Sequence, residues 1–333
     1  MLKRSVVLAV LATTAFAGLA TPAMSKTKVP PWRQTPLLNI AHQGGEDEFP
    51  SNTMFAFKEA MKAGANMLEL DIGVTKDGQV IVMHDTTVDS KTNSTGLVSE
   101  LTLAEIRKLD GAYWFSRSAP HYDRNRPASA YPYRGIATGQ KKPPKGYKAS
   151  DFRVTTLNEF LKAFPRTPIN IEIKGRTTDE EESEYIYNAE VLGNLLKDNK
   201  RKDLIVVSFR QAAVNVFHEV APQVPLAPGS SPLIGYFLQN KSLGPGVVAV
   251  QVPMTYLYQG NRVDLLDKGL GWVEKAHANG LAWHSWFDGP DVDGPEGWAK
   301  LVKRCVDGIM TSQPKALARF LKKNKPPSAC RVK

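Results

Sequence analysis

Cysteine is scarce: the 333 residues contain two, Cys305 and Cys330. Their spacing does not suggest a metal site, and at most one bridge is available, which would pin the C-terminal tail to the helix before it. Long apolar runs are missing beyond the N-terminus, so no later segment is expected to cross a membrane. No internal repeat is visible, which sets repeat architectures aside. Blocks of like charge are also missing. Lysine and arginine are dispersed and densest over 141–148 and 315–333. A formal charge of +10 and a pI near 9.4 therefore read as solvated surface, tolerant of anions, and no nucleic-acid partner is expected. What is present is ordinary for a globular chain, 42% hydrophobic and 23% charged.

The N-terminus has the layout of a secretory signal peptide over residues 1–25. Lys3 and Arg4 precede an apolar run from Val6 to Leu19, and small residues follow around Ala23 and Ser25. Cleavage is expected after Ala23 or Ser25, with export to the periplasm or the medium. Formal charge then falls from +10 to +8, because Lys3 and Arg4 leave with no acid.

Short β-rich runs alternate with helical patterns through the rest of the chain. Expected strands are Leu37–His42, Asn66–Val74, Val80–His84, Pro168–Lys174, Leu204–Phe209, Val247–Val252, Leu281–Trp286 and Gly308–Thr311. Helical patterns include Thr53–Ala63, Glu180–Asn199 and Val263–Asn279. Alternation of this kind makes an α/β protein with a parallel sheet, and about eight strands point to a TIM-type (β/α)8 barrel. A single domain over 26–333 is expected. Asp77-Gly78 joins two strands by a tight turn, so one crossover helix is missing there. A stretch rich in Pro, Tyr, Lys and Arg, about 111–150, reads as a long insertion after the third strand. It is expected to serve as a lid or substrate-binding loop.

Acids in two of these strands carry the chemistry. In Asn66-Met-Leu-Glu-Leu-Asp-Ile72, Glu69 and Asp71 share one face while Leu68, Leu70 and Ile72 share the other. An apolar face turned toward barrel helices sends both carboxylates inward. There they repel each other and lose hydration, unless something cationic joins them. A hard divalent ion bound through oxygen, Ca2+ or Mg2+, supplies that charge. Asn170-Ile-Glu-Ile-Lys174 adds Glu172 and Lys174 to the same interior. His42 and His84 each end a predicted strand, at the rim where barrel enzymes hold catalytic groups. A matched imidazole pair beside three acids and a lysine suits acid–base work on a phosphodiester. His121, His218, His277 and His284 read as structural or surface residues.

Ala41-His-Gln-Gly-Gly45, Phe49-Pro-Ser-Asn-Thr53, Glu69-Leu-Asp71, Thr75-Lys-Asp-Gly78 and His84-Asp85 together resemble the opening of the glycerophosphodiester phosphodiesterase family. The resemblance continues through Ile171-Glu-Ile-Lys174, Ser208-Phe209, Trp286 and Val306-Asp-Gly-Ile309. It implies a barrel that hydrolyses glycerophosphodiesters to sn-glycerol 3-phosphate and an alcohol, with a route through a cyclic phosphate open to it. It further implies His42 and His84 as the acid–base pair and Glu69, Asp71 and Glu172 as metal ligands. Gln43, Lys174 and Trp286 would contact a small phosphodiester substrate. Two positions depart from the family pattern: Gln43 stands where an arginine is usual, and Ser51 where a glutamate is usual. Lys174, or an insertion residue such as Arg134, is the expected substitute for the missing cation. Two other readings stay open. One is a lysophospholipase D or sphingomyelinase D-like lipid enzyme, with Tyr113-Trp-Phe115 against an acyl chain. The other is a non-catalytic phosphodiester-binding protein.

Overall fold

The computed structural model describes residues 30–33, 37–176 and 183–330. The predicted signal peptide, and the first residues of the helix predicted from Glu180, lie outside them. In chain order the strands are β1 (Leu38–Ala41), β2 (Met67–Val74), β3 (Val80–Val82), β4 (Ile169–Ile173), β5 (Leu204–Val207), β6 (Ala249–Pro253), β7 (Thr255–Tyr258), β8 (Asn261–Asp264), β9 (Ala282–Trp286) and β10 (Gly308–Thr311). The helices are α1 (Met54–Ala63), α2 (Leu103–Ile106), α3 (Leu157–Ala163), α4 (Ser183–Leu196), α5 (Gln211–Val220), α6 (Ser230–Gln239), α7 (Trp272–Ala278), α8 (Pro295–Lys303) and α9 (Pro314–Lys323).

Seven strands run parallel in the order β5-β4-β2-β1-β10-β9-β6. The gap between β5 and β6 is closed by Pro225-Leu-Ala227, whose Leu226 bridges Val206 on one side and Val247 on the other, both parallel. Backbone N–H groups of Val206 and Val248 donate to Pro225 and Leu226, while those of Leu226 and Ala227 donate to Gly246 and Val206. Counted this way the sheet is a closed barrel of eight parallel strands. The eighth stave differs from the one expected. Val80–His84 is not a barrel strand: β3 pairs antiparallel with β2 as a hairpin. The true eighth escapes notice because Pro222, Pro225 and Pro228 leave few N–H groups for a ladder.

The pleat sorts side chains as the alternation predicts. Leu68, Leu70 and Ile72 face outward into a cluster with Phe57 of α1, Phe160 of α3 and Leu192 of α4. Burying a leucine or isoleucine of this kind stabilises by about 1.5–3 kcal/mol. Inside, Leu38, Ile40, Met67, Ile205, Ala249 and Ala282 make an apolar floor. Above that floor the interior turns polar. Gln251 Nε2 donates to Asn170 Oδ1 at 2.7 Å and contacts His284 Nδ1 at 3.4 Å, while His284 Nε2 donates to the Trp32 carbonyl at 2.9 Å.

Two further regions differ from expectation. Val263–Asn279 is not one helix: its start belongs to β8, which pairs only with β7 as a separate two-stranded hairpin. Residues 111–150, expected as a lid or substrate-binding loop, pack to one side. They fold against α1 around Phe55, whose ring lies 4.6 Å from Phe152, 4.7 Å from Tyr147 and 5.0 Å from Tyr133. Cys305 and Cys330 are bridged.

Candidate active site

Strand β1 delivers His42 to the rim and then turns sharply. Gln43, Gly44 and Gly45 all have positive φ, at 49°, 80° and 91°. Glycine holds the last two because side chains rarely adopt that conformation. The turn aims the Gln43 N–H at Glu69 Oε2, 2.8 Å away. It also brings Glu46 back under the histidine, so His42 Nδ1 lies 2.9 Å from Glu46 Oε1 and Nε2 is left facing Glu69 Oε2 at 3.9 Å. His84 arrives differently from the expectation of a barrel-strand end. β3 returns antiparallel beside β2, with the Met83 N–H on the Asp71 carbonyl, so His84 sits level with the acids. Its Nδ1 is held by Asp85 Oδ1 at 2.7 Å, and Ser90 hydrogen-bonds the other oxygen of Asp85.

Glu69, Asp71 and Glu172 converge as the alternation predicts: one oxygen from each lies within 4.8 Å of the others. Asp71 is fully buried and accepts from Asn52 Nδ2 at 3.1 Å. The Lys174 ammonium stands 2.6 Å from Glu172 Oε1 and 3.3 Å from Asp71 Oδ1. The ammonium hydrogen-bonds Glu172, whereas Asp71 Oδ1 is a buried acceptor without a hydrogen bond.

The electrostatics follow from this crowding. Burial, then the Asp71 charge, pushes the Glu69 carboxyl well above the carboxylate range. Glu172 is raised by burial despite Lys174. Asp71 is opposed by burial too, yet Lys174, His84, His42 and Asn52 outweigh it and hold it low. Lys174 loses hydration, but Asp71 and Glu172 raise it further above the lysine range. Burial works against the His42 imidazolium, and Glu69, Glu46 and Asp71 overcome it to lift His42 to about 10. Burial likewise opposes His84, which Asp71 and Asp85 raise. Three converging carboxylates repel one another even with Lys174 and His42 beside them, which is why the Glu69 carboxyl is pushed up. Buried oxygen donors with unused lone pairs fit a hard divalent cation.

A cavity of about 750 Å3 opens over this cluster, lined on the catalytic side by His42, Glu46, His84, Glu172 and Lys174. Trp286 lines it too, edge-on to Phe209 at 5.6 Å between ring centres. Gln43 does not line it; its side chain is buried and it serves the site through its backbone. No residue of 111–150 lines it either. Arg134 is caged by Tyr113, Trp114 and Tyr131 and donates to the Tyr113 carbonyl, and Phe115 is buried in the insertion's own core. Neither the substitute cation nor the acyl contact expected of the insertion is there.

Four residues to which the sequence reading gave no role of their own stand at or beside the site: Glu46, Asp85, Asn52 and Lys91. Glu46 stands four places after His42 and Asp85 directly follows His84, which was the available signal. Lys91 follows β3 and lines a small recess with Asn52 and His84. Its ammonium sits 3.3 Å from the centre of the Tyr122 ring, and Tyr122 in turn bonds the Ser51 backbone and hydroxyl at 2.7 and 2.9 Å. Burial depresses Lys91, while Glu46, Asp85 and Asp71 draw it back up.

The family model for the glycerophosphoryl diester phosphodiesterase family matches residues 42–316. A glycerophosphodiester phosphodiesterase of Caldanaerobacter subterraneus subsp. tengcongensis is 30% identical over 291 residues, covering 86% of this chain and 98% of the relative. A lysophospholipase D of Homo sapiens is 35% identical over 136 residues, 41% of this chain and 36% of its own length. Among solved structures, an Oleispira antarctica phosphodiesterase in complex with the product sn-glycerol-3-phosphate has a TM-score of 0.59 at 18% identity. That match covers 85% of this chain and 96% of that one, a likeness of fold.

Proposed function

Because the chain belongs to the glycerophosphoryl diester phosphodiesterase family, and so hydrolyses glycerophosphodiesters to sn-glycerol 3-phosphate and an alcohol, we propose how its own residues carry the reaction. The observation that supports the scheme is the matched pair of histidines. Each gives Nδ1 to a carboxylate, and both line the cavity that Glu172 and Lys174 also line. One imidazole takes the proton from the glycerol hydroxyl next to the phosphate as its oxygen attacks phosphorus. The other, protonated, gives its proton to the departing alcohol oxygen as that P–O bond breaks. The product is a cyclic phosphate. Water then opens the ring with the two histidines in exchanged roles.

Glu69, Asp71 and Glu172 would hold the divalent ion, which we assign as Ca2+. When bound it polarises phosphoryl oxygens as a Lewis acid. Lys174 offsets charge growing on those oxygens, and Lys91 adds a second ammonium on the His84 side, in a site where Gln43 brings no charge. The site is proposed to work outside the cytoplasm, a reading that the Cys305–Cys330 bridge supports.

Two experiments test the scheme. Chelation should abolish turnover of glycerophosphocholine and lower the melting temperature, with Ca2+ restoring both more fully than Mg2+. His42→Ala and His84→Ala should each cost about 10²–10⁴-fold in kcat with the circular dichroism unchanged. Full activity in either variant sinks the acid–base pair.

A second reading has a specific observation behind it. The cavity continues away from the histidines along Phe209, Leu233, Phe237, Tyr256, Val263 and Trp272. A glycerophosphodiester leaves that apolar arm empty, whereas a lysophospholipid fills it with its acyl chain. Lysophosphatidylcholine is therefore proposed as an additional substrate, and comparing its turnover with that of glycerophosphocholine decides the matter.

A further inference from the structure

Large hydrophobic side chains left exposed one at a time need no explanation, but concentrated ones do. Seven are exposed among the described residues. Phe209, Leu238, Tyr256 and Leu270 line the mouth of the catalytic cavity, Leu257 and Val292 flank it, and Tyr187 alone lies elsewhere. The rim is assembled from separate elements: the turn after β5, the end of α6, the β7–β8 hairpin, and the loops before α7 and α8.

The hairpin shows why packing does not account for this. Tyr256 and Tyr258 line the cavity, so the alternation of a strand turns Leu257 to the opposite face. β7 and β8 pair only with each other, and Leu257 is 59% exposed on that outer face. Val292, 60% exposed, rides on a loop clamped to the hairpin base, where Asp291 accepts from the Thr255 backbone at 3.0 Å and from its hydroxyl at 2.8 Å. Two neighbouring segments thus hold apolar tips outward beside one opening.

That opening leads to histidines, carboxylates and a lysine suited to a phosphodiester. An occupant matching both ends carries a phosphodiester and a hydrocarbon body, which is the chemistry of an amphiphilic lipid. We propose that this apolar rim docks on a phospholipid bilayer, with Leu257 and Val292 entering its interface, so that acyl-bearing phosphodiesters pass from the bilayer into the cavity. The proposal rests on the phosphodiesterase reading of the site and goes beyond it by naming the surface from which substrate is taken.

The test uses the full chain, phosphatidylcholine vesicles containing lysophosphatidylcholine, and the pair Leu257→Glu and Val292→Glu. Unmodified protein should sediment with the vesicles and hydrolyse their lysolipid. The double variant should lose sedimentation and slow on vesicle lysolipid by at least about tenfold, a difference of about 1.4 kcal/mol. Its turnover of soluble glycerophosphocholine should stay unchanged. Unmodified protein that stays in the supernatant, or a double variant that still sediments, overturns the proposal. If the glutamate pair fails to fold, Leu257→Ser with Val292→Ser takes its place, read by sedimentation alone. Failure of the unmodified protein to cleave glycerophosphocholine would instead strike at the phosphodiesterase reading, leaving the sedimentation result to stand by itself.

Discussion

His42 and His84 each offer one ring nitrogen to the cavity because the other is already held, by Glu46 and by Asp85. This gives the two carboxylates a kinetic signature. The Glu46 charge and hydrogen bond raise His42, so Glu46→Gln should lower its pKa. The limb of the pH–rate profile that reports His42 then moves to lower pH, and kcat falls less than in His42→Ala. An unmoved profile would mean that Glu46 does not govern the ring. Lys91 makes a different prediction. Lys91→Met should raise KM for glycerophosphocholine by up to about tenfold, through loss of a positive charge beside the cavity, and Lys91→Arg should recover most of it. Equal KM in all three proteins rules Lys91 out. Glu69, Asp71, Glu172 and both histidines were legible because strand alternation and strand ends are properties of the local chain. Lys91 was not, since its role depends on Tyr122, thirty-one residues away, whose ring reaches it only after the insertion has folded against α1.

Elements were legible where they repeat a periodic pattern and obscure where proline or an unusual turn interrupts it. β1, β2, β4, β5, β6, β9 and β10 fall within or beside the expected runs. The stave at Pro225-Leu-Ala227 was hidden by prolines that strip its ladder to a few bonds. The β7–β8 hairpin turns at Gln259-Gly260, both with positive φ, where Asn-Gly or Asp-Gly is the familiar signal. Barrel interior and stability meet at His284. Burial first of all lowers its pKa below the ordinary 6.5, and the neutral ring satisfies both neighbours by donating to Trp32 and accepting from Gln251. A base depressed in the fold stays neutral while the unfolded chain takes up a proton. Stability should therefore fall as pH drops through 6.5 toward the lower folded value. His284→Gln should lose less stability than the unmodified protein between about pH 7.5 and 5.5 in urea titrations. Identical slopes would remove His284 as the cause.

At the scale of the whole molecule, the described residues carry a buried polar site, a 111–150 segment folded against α1 and a covalently tied tail. The Cys305–Cys330 bridge closes a segment with a sequence separation of 25. Chain-entropy reasoning gives such a loop a contribution of about 3 kcal/mol. Cys305→Ala with Cys330→Ala should lower stability by that order while leaving kcat intact, because neither cysteine lines the cavity. The proposed export is checked by intact-mass measurement: a mature chain beginning at Met24 or Lys26 is expected, and an uncleaved chain overturns it.

The hairpin of β7 and β8 is joined to the barrel at its base and shares no ladder with it. Substrate range and reaction are thus built on separable parts of one polypeptide. A shorter turn grafted between Met254 and Leu265 would remove the share of the apolar wall that Tyr256 and Val263 supply, while every acid, imidazole and ammonium kept its seat. The same barrel could then be narrowed toward water-soluble diesters or widened to other lipids by exchanging the ten residues 255–264 of its rim, a modular route to new specificity.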